Sequence, residues 1–129
     1  MAVDYDALWR VLVLEPDDDL AQLLAAILVG EGCAVRCVPT PAAMAAEARL
    51  WQPHLLMIDV PPPHWPAEGL MDALGAIGAG RLIPLLLLLD ARTSTIGWHG
   101  PGRIITKPFD IDDLLAKVRE LLLATDRHN

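Results

Sequence analysis

The sequence predicts an α/β domain, an open parallel sheet of five strands with helices on both faces. Leu55-Leu56-Met57-Ile58 and the run Leu82–Leu89 are apolar at successive rather than alternate positions, as in strands buried on both sides. Segments with helical spacing separate such runs, so the strands they join run parallel. Polar residues close four of the strands, namely Glu15, Asp59, Asp90 and Lys107. The C-terminal ends of parallel strands meet at one edge, and ligands bind there.

Arg10–Leu14 forms the first strand, and Pro16 fixes where it stops. Leu20, Leu23, Leu24, Ile27 and Leu28 then follow the i, i+3, i+4, i+7, i+8 spacing of an amphipathic helix. Asp17, Asp18 and Asp19 stand at its start, where negative charge is favourable, and Gly30 or Gly32 ends it. Ala34–Val38 is a second, shorter strand. Thr40-Pro41 is a helix cap followed by proline at the first helical position. Met44, Ala45, Ala48 and Trp51 line one face of that helix, and Pro53 stops it. The third strand delivers Asp59, and Pro61, Pro62 and Pro63 forbid its continuation.

A proline-dense loop, Pro61–Pro66, leads to a third helix marked by Leu70, Leu74 and Ile77 and ended by Gly78-Ala79-Gly80. Leu82–Leu89 is the fourth strand, with Pro84 near its beginning. Residues 91–102 hold Gly97, Gly100, Pro101 and Gly102, which leaves room for about one or two helical turns. The fourth helix is therefore expected to be shortened or irregular. Arg103–Thr106 is the fifth strand, ended by Lys107-Pro108. Asp110 caps a last helix whose core face carries Ile111, Leu114, Leu115, Val118, Leu121 and Leu122. No repeat and no linker interrupts this order, so residues 1–129 are expected to form one domain.

A hydrophobic content of 53% and a net charge of −7 exclude a disordered chain and a nucleic-acid binder. The longest apolar run, Leu82–Leu89, is far too short to span a bilayer. The N-terminus is acidic and lacks a signal-peptide pattern, so the expected location is the cytoplasm. Cys33 and Cys37 flank one strand, too far apart along it for a disulfide and without further zinc ligands nearby. Both are expected to be buried, inert thiols.

The chemistry of the polar edge follows from its residue types. Carboxylates from neighbouring strands can hold a hard cation such as Mg²⁺. A lysine opposite them can neutralise a phosphoryl group or pair with the acids. An aspartate beside Mg²⁺ can attack a phosphoryl donor and form an acyl phosphate.

In these features the chain resembles the receiver domains of bacterial two-component response regulators. The matching stretches are Val11–Asp19, the strand ending at Asp59 with Pro63 and Gly69-Leu70 after it, and Lys107-Pro108-Phe109. The resemblance implies a flavodoxin-like, doubly wound sheet of strand order 2-1-3-4-5. It implies Asp59 as phospho-acceptor, Lys107 as the lysine that partners the phosphoryl charge, and a cis Lys107-Pro108 bond. It also implies a Mg²⁺ site made by Glu15, Asp59 and the Pro61 backbone carbonyl.

Several positions depart from the family's pattern. The family follows its first strand with two adjacent acids, whereas this chain has Glu15 and then Pro16. The Mg²⁺ site is weakened accordingly. Asp17 or Asp18 either compensates or only caps the helix. A Ser or Thr at the end of the family's fourth strand is replaced by Asp90, or by Leu89 one residue earlier. A carboxylate there repels an incoming phosphoryl group, pairs with Lys107, or simply caps the next turn. The aromatic switch of the fifth strand is replaced by Ile104 or Ile105. Trp65 and Trp98 fall in predicted loops beside the edge, as a lid over the acceptor or as satellite packing. His54, His64, His99 and His128 show no ligand spacing and are expected to be solvated or locally hydrogen-bonded.

The leading expectation is an atypical receiver that works mainly as a protein-interaction module, its coupling to phosphorylation weakened or absent. The alternative is a working Mg²⁺-dependent acceptor that takes a phosphoryl group from a histidine kinase on Asp59. Neither is an enzyme. A phosphatase on a similar sheet would want an acid where Pro61 stands, and a flavodoxin would want a Ser/Thr/Gly-rich phosphate cradle after the first strand. The expected partners are a histidine kinase or other signalling protein. A homodimer is expected through the fourth-strand and last-helix face around Ile96, Trp98 and Ile104. Nucleic acid and membrane are not expected partners.

Overall fold

The structure is a computed structural model and describes residues 8–60, 83–90 and 102–126. Its strands are β1 (Arg10–Leu14), β2 (Ala34–Val38), β3 (Leu55–Val60), β4 (Leu85–Asp90) and β5 (Gly102–Lys107). Its helices are α1 (Asp18–Gly30), α2 (Pro41–Trp51) and the C-terminal α3 (Ile111–Asp126). The five strands form one parallel sheet in the order β2-β1-β3-β4-β5. This is the predicted flavodoxin-like order.

The two-residue period of the strands divides the interior in two. Val11, Val13, Leu55, Met57, Leu86, Leu88 and Ile105 pack on one face against Leu24 and Leu28 of α1 and Leu114, Val118 and Leu121 of α3. Leu12, Leu14, Leu56, Ile58, Leu85, Leu87 and Leu89 pack on the other against Met44 and Ala48 of α2. The unalternating apolar runs are explained by this, since both faces of the central strands are dry.

The caps form as their residue types dictate. Asp17 Oδ1 accepts from the N–H groups of Asp19 and Leu20 at 2.9 and 3.1 Å. Thr40 Oγ1 accepts from Ala43 N–H at 3.1 Å, with Pro41 opening α2. Helix α2 ends on Gln52 in the left-handed region, φ 53°. The Arg10 guanidinium holds the Gln52 carbonyl with two bonds of 3.0 and 2.8 Å. His54 Nδ1 accepts from Arg10 N–H at 2.9 Å, and its ring meets Trp9 edge-on at 5.1 Å. The expectation of a solvated or locally bonded His54 is thus corrected, because its partner lies 44 residues away.

Several boundaries and faces differ from expectation. Strand β4 starts at Leu85 rather than Leu82. Pro84 lends only its carbonyl, to Leu56 N–H at 3.1 Å, and has no N–H to extend the ladder. Strand β3 runs one residue past Asp59, and β5 spans Gly102–Lys107 rather than Arg103–Thr106. On α1 the buried stripe is Ala21, Leu24 and Leu28, while Leu20 and Leu23 are 43% and 55% exposed. Five apolar positions cover a wider arc than a helix lying on a sheet can bury, and Leu23 points roughly 130° from the centre of the buried stripe. Ile111 is likewise exposed, in the first turn of α3. Cys33 is buried but Cys37 is exposed, because β2 is an edge strand. The expected loop over Pro61–Pro66, the expected helix of Leu70, Leu74 and Ile77, and the region 91–101, where a shortened helix is expected, lie outside the described residues. So do Ile96, His64, His99 and His128.

Gln52 provides a test of the α2 terminus. Its side chain is exposed and only its backbone bonds Arg10. Gln52→Gly should relieve the left-handed backbone and raise stability by about 0.5–1 kcal/mol, read as a higher urea midpoint. A lower midpoint would show that the Arg10 clamp already removes that strain.

Candidate functional site

Register brings the predicted residues together at the C-terminal edge of the sheet. Leu14 pairs with Ile58, so the next residues along, Glu15 and Asp59, stand side by side. Glu15 is anchored by its own N–H, which donates to Val38 O at 3.0 Å. Both carboxyl groups are buried, with relative exposures of 5% for Glu15 and 6% for Asp59. Lys107 ends β5, two strands away, and its Nζ forms an ion pair and hydrogen bond with Asp59 Oδ1. The Lys107-Pro108 bond is cis, as the resemblance implied.

Two carboxyl groups so close and so dry do not share the same protonation state. Burial first, then the hydrogen bond and the negative charge of Asp59, push the Glu15 carboxyl up to about 8. A weak bond from Asp17 N–H and the Lys107 charge oppose the rise without cancelling it. A neutral Glu15 also resolves its hydrogen bonding. As a carboxylate its Oε1 has no donor among the described residues. As an acid it donates its O–H to Asp59. The edge therefore joins a Glu15 carboxyl that burial and Asp59 hold towards its neutral form with an Asp59 that is paired with Lys107.

The remaining predicted residues fall as follows. Asp90 is in register with Lys107 at the end of β4. Leu89 belongs to the opposite core, on the α2 face, so it does not stand at this edge. Ile104 is 37% exposed and lies on the other side of the pleat from Ile105, which is buried. A side chain at 104 is therefore separated by the sheet from the face on which Ile105 and Lys107 alternate. Asp17 is the α1 cap, which decides its role in favour of capping. Pro61, Trp65 and Trp98 lie outside the described residues. Sequence reading missed the proton on Glu15. Its signal was an acid directly after four apolar residues and next to the Asp59 strand.

These residues do not suit a divalent cation as they stand. Mg²⁺ requires near-octahedral oxygen ligation and favours ionised carboxylates. Here Asp59 is paired with Lys107, Pro16 has no carboxylate, and Asp17 Oδ1 is committed to the helix cap. No group of three or more His, Cys, Asp or Glu side chains among the described residues is arranged to hold a metal.

Fold and edge together define the class, a response regulator receiver domain, and comparison with known proteins supports it. The chain is 30% identical over 122 residues to the DNA-binding dual master transcriptional regulator RpaA of Synechocystis sp., covering 92% of this chain and 51% of that protein. It is 28% identical over 122 residues to the DNA-binding response regulator MtrA of Mycobacterium tuberculosis, covering 91% of this chain and 52% of MtrA. The chain thus spans about half the length of the curated relatives it matches. Among solved structures, the signal receiver domain of a histidine kinase from Syntrophus aciditrophicus superposes with a TM-score of 0.74 at 26% identity, covering 90% of this chain and 91% of that one. No family model matches the chain.

The proton on Glu15 has a measurable consequence. The unfolded chain gives it up above the ordinary value of 4.5, whereas the folded chain keeps it to about 8. Stability from this group is therefore complete below pH 4.5 and is lost as the pH rises through 8. The loss is at most about 1.4 kcal/mol for each pH unit inside that window. Glu15→Gln cannot ionise and should flatten the decline, so its urea midpoint should overtake that of the wild type towards pH 8. Parallel pH profiles for the two proteins would mean that Glu15 is already ionised in the fold.

Proposed function

We propose that this chain is an atypical receiver that works mainly through contact with another signalling protein, its output weakly coupled or uncoupled from phosphorylation. The observation that carries this reading is Pro16. It stands where the resemblance expects a second acid, and it leaves Glu15 as the single carboxyl group that β1 brings to Asp59.

The readout positions support the same conclusion. Asp90 stands in backbone register with Lys107, an acid in sequence where the family has a hydroxyl. Ile104 has no ring to rotate. The partner that suits such a chain is a histidine kinase or another signalling protein, or a second copy across the β4 and α3 side, where Ile104 is exposed. The DNA-binding described for MtrA and RpaA belongs to proteins about twice as long. This chain's charge of −7 argues against its own contact with nucleic acid. The second reading is a working acceptor, and one observation favours it. Asp59 and Lys107 are both present and paired.

The deciding experiment is intact mass after incubation with Mg²⁺ and a small-molecule phosphodonor, wild type against Asp59→Asn. No adduct is expected on either protein. A phosphoryl adduct on the wild type alone would overturn the uncoupled reading.

A further inference from the structure

The Asp59 edge already contains a cation. Lys107 reaches across from β5 to pair with the buried Asp59, while its own side chain stays 32% exposed. Lys107 takes Asp59 Oδ1, so a divalent ion entering here competes with the ammonium for one carboxylate. Among the described residues it would find two acids, Glu15 and Asp59, both buried and side by side.

The loop after β1 cannot supply a third. Pro16 is exposed and has no polar side chain. Asp17 is turned away into its cap, with both described bonds made by one oxygen to Asp19 and Leu20. Asp18 opens the helix itself and is exposed. The cap thus fixes the loop in a form that offers the edge only Glu15.

We propose that the Asp59 site excludes divalent cations, that the Lys107 ammonium is its resident counter-ion, and that an acid restored at position 16 is enough to open it to metal. This rests on the receiver reading above and deepens it. Position 16 is exposed, follows Glu15 and precedes the Asp17 cap, outside both β1 and α1, so an acid can be introduced there without removing a bond of the ladder or the cap. The site is one side chain short of metal binding rather than remodelled throughout.

The test is calorimetric titration of the full chain with MgCl₂ and, separately, MnCl₂. Wild type, Pro16→Asp, Pro16→Asn and the double variant Pro16→Asp/Asp59→Asn are compared. Wild type should show no saturable binding up to about 20 mM of either ion, whereas Pro16→Asp should gain a site with a Kd of about 1 mM. Pro16→Asn, which removes the proline without adding charge, should bind no better than wild type, and the double variant should lose the gained site. Thermal unfolding of each variant in EDTA checks that it folds.

Saturable millimolar binding by the wild type would overturn the proposal whatever the variants do. So would a folded Pro16→Asp protein that gains nothing. The outcomes also separate this proposal from the uncoupled reading. An adduct on Asp59 formed in EDTA would overturn that reading and leave cation exclusion standing. Wild-type Mg²⁺ binding without any adduct would do the reverse.

Discussion

Two buried carboxyl groups, and the half-buried Lys107 that reaches one of them, are the constraint on which this molecule turns. Opposite charges at short range are strongly coupled where water is excluded, and like charges cannot both persist there. The sheet sets this problem by placing Glu15 and Asp59 on adjacent strands at the same level. It solves the problem with a proton on the first and Lys107 on the second. Strand β4 lies between Asp59 and the strand that carries Lys107. Neighbouring strands are about 4.8 Å apart, so only a long side chain can bridge the gap.

At the other end of the sheet a different set of bonds fixes the frame. Arg10 joins the Gln52 carbonyl, and the backbone N–H of the same residue meets His54. One residue of β1 thereby anchors the whole turn from α2 into β3. These bonds secure the start of the two strands whose far ends bear Glu15 and Asp59. Position at the acidic edge is thus held from below by neutral and charge-assisted hydrogen bonds remote from the chemistry.

The fold was largely legible because its signals were local. Apolar runs without alternation announced strands dry on both faces, and Thr40-Pro41 and Asp17 announced helix starts that the structure contains. The polar edge was legible too, since Glu15, Asp59 and Lys107 each follow an apolar strand. What escaped was decided by neighbours distant in sequence. The protonation of Glu15 depends on Asp59 across a strand boundary, and the exposure of Leu23 depends on how wide a stripe the sheet can cover. The exposure of Cys37 depends on β2 lying at the rim. His54 looked like a surface residue until the Arg10 backbone was brought beside it.

Strand β4 carries a consequence for how such a chain can change over generations. Leu85 to Leu89 are identical side chains that alternate between two separate cores. Identical residues carry no information about which of them belongs to which core, so the tract cannot fix its own alignment. Its punctuation does so, with Pro84 at one end and Asp90 beside Lys107 at the other. Loss of any one of the five leucines produces the same shortened protein. With Pro84 holding the start of the strand, that single event carries the aspartate to the place of Leu89, inside the core on the α2 face. The length of the tract, rather than the identity of any one leucine, keeps the charge at the edge and out of the core.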